Sequence, residues 1–271
     1  HLMKPLCHSS HDRDAFYAIL NESLDACIKK YLPHFGVEQL SVKEKLKNLV
    51  RFFLNVKRVS GWSLGTWLKN FRYNFFCEQV KGNVLEGKYF IINKYCTIVL
   101  ESKAQLILNA PFYFGNKRIK GSRLDSRLLI ESGGRMEIKY GSYNVAYGAD
   151  IEVFQNAILE IGGELGANIG LTIICADHIS IGRHTGCGRN VTIRDNNGEH
   201  FISIRGYKIS SPVTIKEHVW LTESCTVMPG AVIEPGAIIS ARSVVSGHIP
   251  AFSIVKGDPA VVVEKNILWK A

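Results

Sequence analysis

Two stretches of the chain carry a small or aliphatic residue at every sixth position: Ile169, Cys175, Ile181, Cys187 and Ile193, then Ile215, Leu221, Val227, Ile233, Ile239 and Val245. Four places after each comes a second small or β-branched set, Ile173, Ile179, Thr185 and Val191 in the first stretch and Val219, Cys225, Ala231, Ala237, Ser243 and Ile249 in the second. A helix repeats its apolar face about every 3.6 residues and a strand every two or so. A period of six therefore predicts a mainly β solenoid in which each hexad is one short strand plus a corner, three hexads to a triangular turn. Stacked coils pair every strand except those at the ends. Tight corners suit Gly170, Gly182, Gly188 and Gly236, because glycine reaches positive φ without steric cost. The second stretch has Lys216, Thr222, Met228, Glu234 and Ser240 where glycine would follow the aliphatic position, so its corners must be built differently.

Outside the hexads the pattern changes. From Asp12 to Glu78 the apolar spacing is helical: Ala15 to Lys30 is amphipathic, Val42 to Val56 repeats at helical spacing, and Thr66 to Gln79 is aromatic-rich, with Pro33, Gly61 and Gly65 as punctuation. From Val84 to Tyr143 the alternation is strand-like but out of hexad register, as expected of irregular first coils. The tail from Val261 to Trp269 reads as a strand followed by a short helix. The predicted organisation is thus an N-terminal helical region over 1–80 and a β solenoid over 81–271, interrupted by a loop at 194–212 where the register breaks.

The 271 residues supply enough material for one core with a small accessory region. No apolar run approaches the roughly 18 residues that span a bilayer, and the N-terminus lacks a charged-then-apolar signal, which predicts a cytoplasmic protein. Seven cysteines without CxxC spacing argue against a disulfide framework or a zinc knuckle, and Cys175, Cys187 and Cys225 fall on inward positions as core filler. The net charge of +9 points to anionic partners without choosing one; no helix-turn-helix, RNP or zinc-finger pattern supports nucleic acid. In the N-terminal region Lys43, Lys45, Lys47, Arg51, Lys57, Arg58, Lys69 and Arg72 alternate with Phe52, Phe53, Trp62, Trp67, Phe71, Phe75 and Phe76. Such a stretch either caps the solenoid with its rings or makes peripheral contact with an anionic membrane.

Four segments carry a resemblance: Ile215-Lys-Glu-His-Val-Trp-Leu, Val227-Met-Pro-Gly-Ala-Val-Ile, Ala241-Arg-Ser-Val-Val, and Ile249-Pro-Ala-Phe-Ser-Ile-Val-Lys-Gly-Asp-Pro-Ala. Together and in register they resemble the C-terminal signature of the hexapeptide-repeat acyltransferases, and among these the sugar and capsular-polysaccharide O-acetyltransferases, strongly over residues 145–263. The resemblance implies a left-handed parallel β-helix, a homotrimer with active sites between neighbouring prisms, and acetyl-coenzyme A as donor with no metal. It places the family's catalytic histidine at His200, on the irregular loop, and the acid that precedes it at Asp195. It runs the coenzyme along Ser240, Ala241 and Arg242, with Lys256 beside the adenosine phosphates and Trp220 against the pantetheine or shaping the acceptor pocket. Relatives carry a basic residue before the Ile-Pro where this chain has Ser246-Gly-His248, so phosphate contact there passes only in part to His248.

The chemistry agrees with that assignment. A sugar hydroxyl is a poor nucleophile, and its attack on a thioester needs a base titrating near neutrality, for which imidazole is suited. A carboxylate on the far ring nitrogen, Asp195 or as second choice Glu199, would fix the tautomer. A backbone N–H at a coil corner would serve the oxyanion. The expected function is acetyl transfer from acetyl-CoA to a hydroxyl of a capsular or cell-surface polysaccharide or its precursor, an acidic glycan suiting the charge. The alternatives are an N-acetyltransferase on an amino sugar nucleotide, against which the absence of a GxGxxG segment speaks, a γ-class carbonic anhydrase using His178, His184 and His200, and a non-catalytic trimeric scaffold.

Overall fold

A computed structural model describes residues 40–270 except 62, 118, 120, 165, 199–202 and 204. The helix expected over Ala15 to Lys30 lies outside the described residues. Lys43–Ala271 form one structural unit.

The hexad residues do what their period predicts. Three parallel sheets form the faces of a prism: sheet I runs from Val80–Lys81 to His248–Ile249, sheet II from Phe90–Ile92 to Ser253–Gly257, and sheet III from Cys96–Leu100 to Val244–Val245. Each coil contributes one strand to each sheet, which is the left-handed parallel β-helix expected. Ile215 lies opposite Ile233, Leu221 opposite Ile239 and Val227 opposite Val245, eighteen residues on in each case. Those six side chains and the second set behind them are buried in one continuous core. In the first stretch a coil is longer: Ile161 faces Ile181, Ala167 faces Cys187 and Ile173 faces Ile193, twenty residues on. The strand Thr172–Cys175 on sheet III accounts for the extra pair, and Ile169 is a half-buried corner residue whose place in the core is taken by Ala167.

The corners correct the glycine expectation in part. Gly170 and Gly236 do have positive φ, at 78° and 71°. Gly182 and Gly188 do not; they are small because the next coil passes over them. A Cβ on Gly182 would lie 2.4 Å from the carbonyl carbon of Lys216, and one on Gly188 2.8 Å from the amide nitrogen of Glu223. The left-handed residues in those two corners are His184 and Asn190, and in the second stretch His218, Ser224, Arg242 and Phe252 do the same work. Their amides bond to the corner below, as His218 N to Arg183 O and Arg242 N to Glu223 O, so a column of backbone bonds offsets the conformational cost.

The open lower end is closed by helices α1 (Val42–Ser60) and α2 (Leu64–Phe71), the latter running into a π turn at Arg72–Phe76. Phe52 and Val56 of α1 pack on Val84, Tyr89 and Ile91, and the rings of Phe53, Trp67 and Phe71 pack around them. At the upper end Ala260–Lys265 turns back antiparallel on Ser253–Gly257. The tail then continues as an irregular segment over 266–270, not as the short helix expected: Ile267 N bonds to Phe252 O and Trp269 lies flat on His218, contacts with the prism that an isolated helical turn would not make. No helix among the described residues is long and apolar enough to cross a membrane.

Candidate active site

The loop that breaks the register leaves the prism after Thr192–Arg194 on sheet III and rejoins it at Val213–Ile215 on sheet I. Its neck is a two-stranded clamp. Asn196 and Ser210 form an antiparallel bridge, Asn197 N bonds to Ile209 O at 3.0 Å, and Ser211 N bonds to Asp195 O at 2.7 Å. Asp195 is wholly buried inside this neck. Its carboxylate accepts from Ala176 N (2.7 Å), Asp177 N (2.8 Å) and Asn196 Nδ2 (3.3 Å), with Cys175 Sγ 3.7 Å away. Asn196 also donates to Ile174 O, and Arg194 Nε to Asn196 O. The neck is thus tied to the preceding coil by one carboxylate and one side-chain amide, with the backbone bond from Asp195 N to Ile174 O beside them. His200 and Glu199 lie outside the described residues.

A second feature lies on sheet II. Along the outward row of that face Tyr113, Asn144 and Gly166 are neighbours, Ala167 opposite Cys187 sets Gly166 beside Gly186, and Gly186 is paired with Trp220. Two successive glycines leave the floor of the face bare between Asn144 and Trp220, and the result is a trough of about 580 Å³. Trp220 is 43% exposed at one end of it. Trp269 forms a wall: its ring centre is 5.7 Å from that of Trp220, and it stacks on His218 at 4.0 Å with 9° between the planes. His218 Nε2 lies 3.0 Å from the Trp269 carbonyl oxygen. Lys117, Lys270 and the acid Glu164 also line the trough. The indole N–H of Trp269 is buried without an acceptor among the described residues.

The residues expected along the donor path fall together on the corner between sheets II and III. Ser240, Ala241 and Arg242 form that corner, with Ala241 and Arg242 exposed; Ser240 N bonds to Val255 O, which sets Lys256 next to it. Trp220 lies one coil below on the adjoining face, opposite Ile238. The loop neck, in contrast, is on the corner between sheets III and I. Within one chain the trough and the loop neck therefore belong to different sides of the prism. Reading residues singly missed Trp269, Lys117 and Asn144; the only advance signal for Trp269 was a lone aromatic residue in the tail beyond the last strand.

The remaining candidates are engaged elsewhere. His178 Nε2 lies 3.2 Å from Glu160 on sheet I, and His184 Nε2 3.0 Å from Glu164 at a corner. The Lys139 ammonium, with His178 adding to it, holds the Glu160 carboxyl below its usual range. Among the described residues no three His, Cys, Asp or Glu side chains are grouped to hold a metal ion. Burial pushes the thiols of Cys187 and Cys225 up to about 12, and that of Cys175 higher, with the Asp195 carboxylate adding to the effect. Such thiols are not nucleophiles.

No protein-family profile matches the chain. A putative lipopolysaccharide biosynthesis O-acetyl transferase, WbbJ of Escherichia coli (strain K12), is 29% identical over 140 residues, covering 47% of this chain and 71% of the relative. Among solved structures, the polysialic acid O-acetyltransferase OatWY aligns at 19% identity with a TM-score of 0.47, over 67% of this chain and 87% of that one. A hexapeptide-repeat acetyltransferase of Vibrio cholerae O1 biovar eltor, VCA0836, complexed with acetyl coenzyme A, aligns at 14% identity with a TM-score of 0.36, over 89% and 97%. By its six-residue repeat, its three parallel sheets and its sequence, the chain is similar to the hexapeptide-repeat acetyltransferases.

Proposed function

We propose that the protein is an O-acetyltransferase that moves an acetyl group from acetyl-coenzyme A to a hydroxyl of a capsular or cell-surface polysaccharide or its precursor. The observation that carries this reading is the clamped loop. A regular β-helix is interrupted once in its hexad stretch, and the interruption, which bears His200 in sequence, is clamped at its neck by backbone bonds and by the buried Asp195 carboxylate. The similarity over 140 residues to a putative lipopolysaccharide O-acetyl transferase supports the substrate class.

In this reading His200 is the general base. It takes the proton of the acceptor hydroxyl as the oxygen attacks the thioester carbonyl; the tetrahedral oxyanion then collapses, the carbon–sulfur bond breaks, and the thiolate recovers the proton from the imidazolium. Asp195 keeps a part in the mechanism as a positioning residue. Its oxygens already accept from three N–H groups, so it fixes the loop that carries His200, and the direct partner of the imidazole is left to Glu199. The corner Ser240–Arg242 with Lys256 is the proposed coenzyme path. Small side chains let the coenzyme approach the backbone there, and the cations face its phosphates. Trp220 and Trp269 over bare glycine offer an apolar wall to the pantetheine arm or a sugar ring. Since the loop neck and the trough lie on different sides of one prism, a complete site needs the loop of one copy against the trough face of the next. We take the working form to be a cytoplasmic homotrimer.

The test is thiol release from acetyl-CoA with a panel of capsular glycans and sugar nucleotides. Acceptor-dependent release is expected, falling at least a hundredfold in His200→Ala with the assembly intact, and losing apparent donor or acceptor affinity in Trp220→Ala with a smaller change in turnover. Release that survives His200→Ala at the wild-type rate removes the base. No release and no coenzyme A binding removes the reading altogether.

A further inference from the structure

The helical cap has two apolar sides, and only one of them is used by the prism. Phe52 and Val56 of α1 face inward, but Leu46, Val50 and Leu54, spaced by four on the same helix, are exposed. On α2 Leu64 and Leu68 are 71% and 61% exposed, and Phe76 of the π turn is 79% exposed. Between these two exposed rows the rings of Phe53, Trp67, Phe71 and Phe75 touch one another at centroid distances of 5.5 to 6.4 Å, joining the rows into one surface. Across residues 41–76 the chain carries eight basic residues and a single acid, Glu44. Lys43, Lys47 and Arg51 recur by four on α1, one residue on from the exposed apolar row, so charge and apolar surface run side by side.

We propose that this face of the cap docks the enzyme on an anionic phospholipid surface, lying in the interface with Leu64, Leu68 and Phe76 among the headgroups and the basic row against their phosphates. A solvated cap would not expose several large apolar side chains in a contiguous patch. A second copy of the chain is the poorer occupant, because two such faces brought together would set like charges against each other. The cap itself is tied to the prism by side-chain bonds to the first coil, Asn70 to Ile92 and Asn74 to Phe90, so docking would orient the whole solenoid rather than draw the helices away. This inference does not depend on the acetyl-transfer reading, and its test uses no turnover.

The experiment is co-sedimentation of the full chain with vesicles of phosphatidylcholine alone and of an equimolar mixture with phosphatidylglycerol. Binding to the mixed vesicles and not to the neutral ones is expected, weakening as salt is raised. Leu64→Ser with Leu68→Ser, both at exposed positions, should lower the partition coefficient at least tenfold with an unchanged circular dichroism spectrum. Lys43→Glu with Lys47→Glu should lower it by roughly fivefold or more per charge. Equal binding to both vesicles, binding to neither, or wild-type partition in both variants overturns the proposal. So does a fall in molecular mass in the leucine variant while vesicle binding stays unchanged, which would assign the face to a second copy.

Discussion

A β-helix must end, and the end strand presents unpaired backbone groups; in this chain two asparagines one helical turn apart take the place of the missing strand. Asn70 Nδ2 donates to Ile92 O at 2.8 Å while its Oδ1 accepts from Ile92 N at 2.9 Å, and Asn74 does the same for Phe90 at 2.7 and 2.8 Å. Lys69 Nζ to Cys96 O and Tyr73 OH to Ile98 O extend the pattern to the neighbouring sheet. A carboxamide matches a peptide group in donor and acceptor, so each asparagine completes two ladder bonds at once. Asn70 is fully buried, and Asn70→Ala would leave an N–H and a C=O of the first coil without partners. At about 1–3 kcal/mol for each orphaned group, the variant should lose roughly 2–6 kcal/mol in denaturant unfolding. Asn70→Asp should fare no better, since it restores the acceptor and not the donor. A loss below about 0.5 kcal/mol in both would show that water replaces the amide. Nothing in the sequence marks these two residues: asparagine on a helix reads as a solvated or capping residue, and only the approach of α2 to the strand edge gives it this use.

The loop neck shows how an element is set by one side chain from outside it. Asp195 binds the amides of Ala176 and Asp177 on the coil below, at the corner between the strands Thr172–Cys175 and His178–Ile181. The register break was legible, because the hexads stop at Ile193 and resume at Ile215, and Asp195 was legible as a residue of interest. Its geometry was not, because a sequence carries no sign that the carboxylate turns inward. Asp195→Ala should therefore speed hydrogen exchange at Ala176 and Asp177 by at least tenfold and lower turnover together, while His200→Ala should abolish turnover with those exchange rates unchanged. Asp195→Asn should resemble the alanine variant, since an amide keeps one acceptor and turns a donor toward the Asp177 N–H. Exchange at wild-type rates in Asp195→Ala would remove the positioning role. The corners teach the same lesson from the other side. Gly182 and Gly188 were read as left-handed corner residues, but what they supply is smallness, a backbone passing within 2.8 Å of where a Cβ would be.

At the scale of the molecule the period was the legible quantity, since Ile215, Leu221 and Val227 each recur eighteen residues on, and only in the shorter last coil do Ile233 and Ile239 meet Ile249 and Val255 sixteen residues on. The first coils were not, because strands of four and five residues and longer connections, such as that between Asn116 and Ser126, destroy the count while leaving the stacking intact. The shared core also gives the fold a pH dependence. Cys175, Cys187 and Cys225 are buried thiols at inward positions of the core, and burial holds each of them protonated in the folded state, Cys187 and Cys225 to about 12 against an ordinary value of 9.0. The unfolded chain therefore gives up these protons first. Between about pH 9 and 12 the folded state binds more protons than the unfolded one, so the contribution is fully present below pH 9 and is lost as pH rises. Each thiol adds a slope of at most about 1.4 kcal/mol per pH unit, and all three act in the same direction, so stability falls as pH rises through this window. Tyrosines and lysines titrate in the same window, and the comparison that isolates the thiols is between wild type and Cys187→Ala with Cys225→Ala. The variant should melt lower at pH 8, where the lost packing is felt alone, and its melting temperature should fall less steeply from pH 9 to 11, so that the two curves converge. Parallel curves would mean that the thiols stay protonated in both states or reach water in the folded one, and would leave alkaline unfolding to the tyrosines.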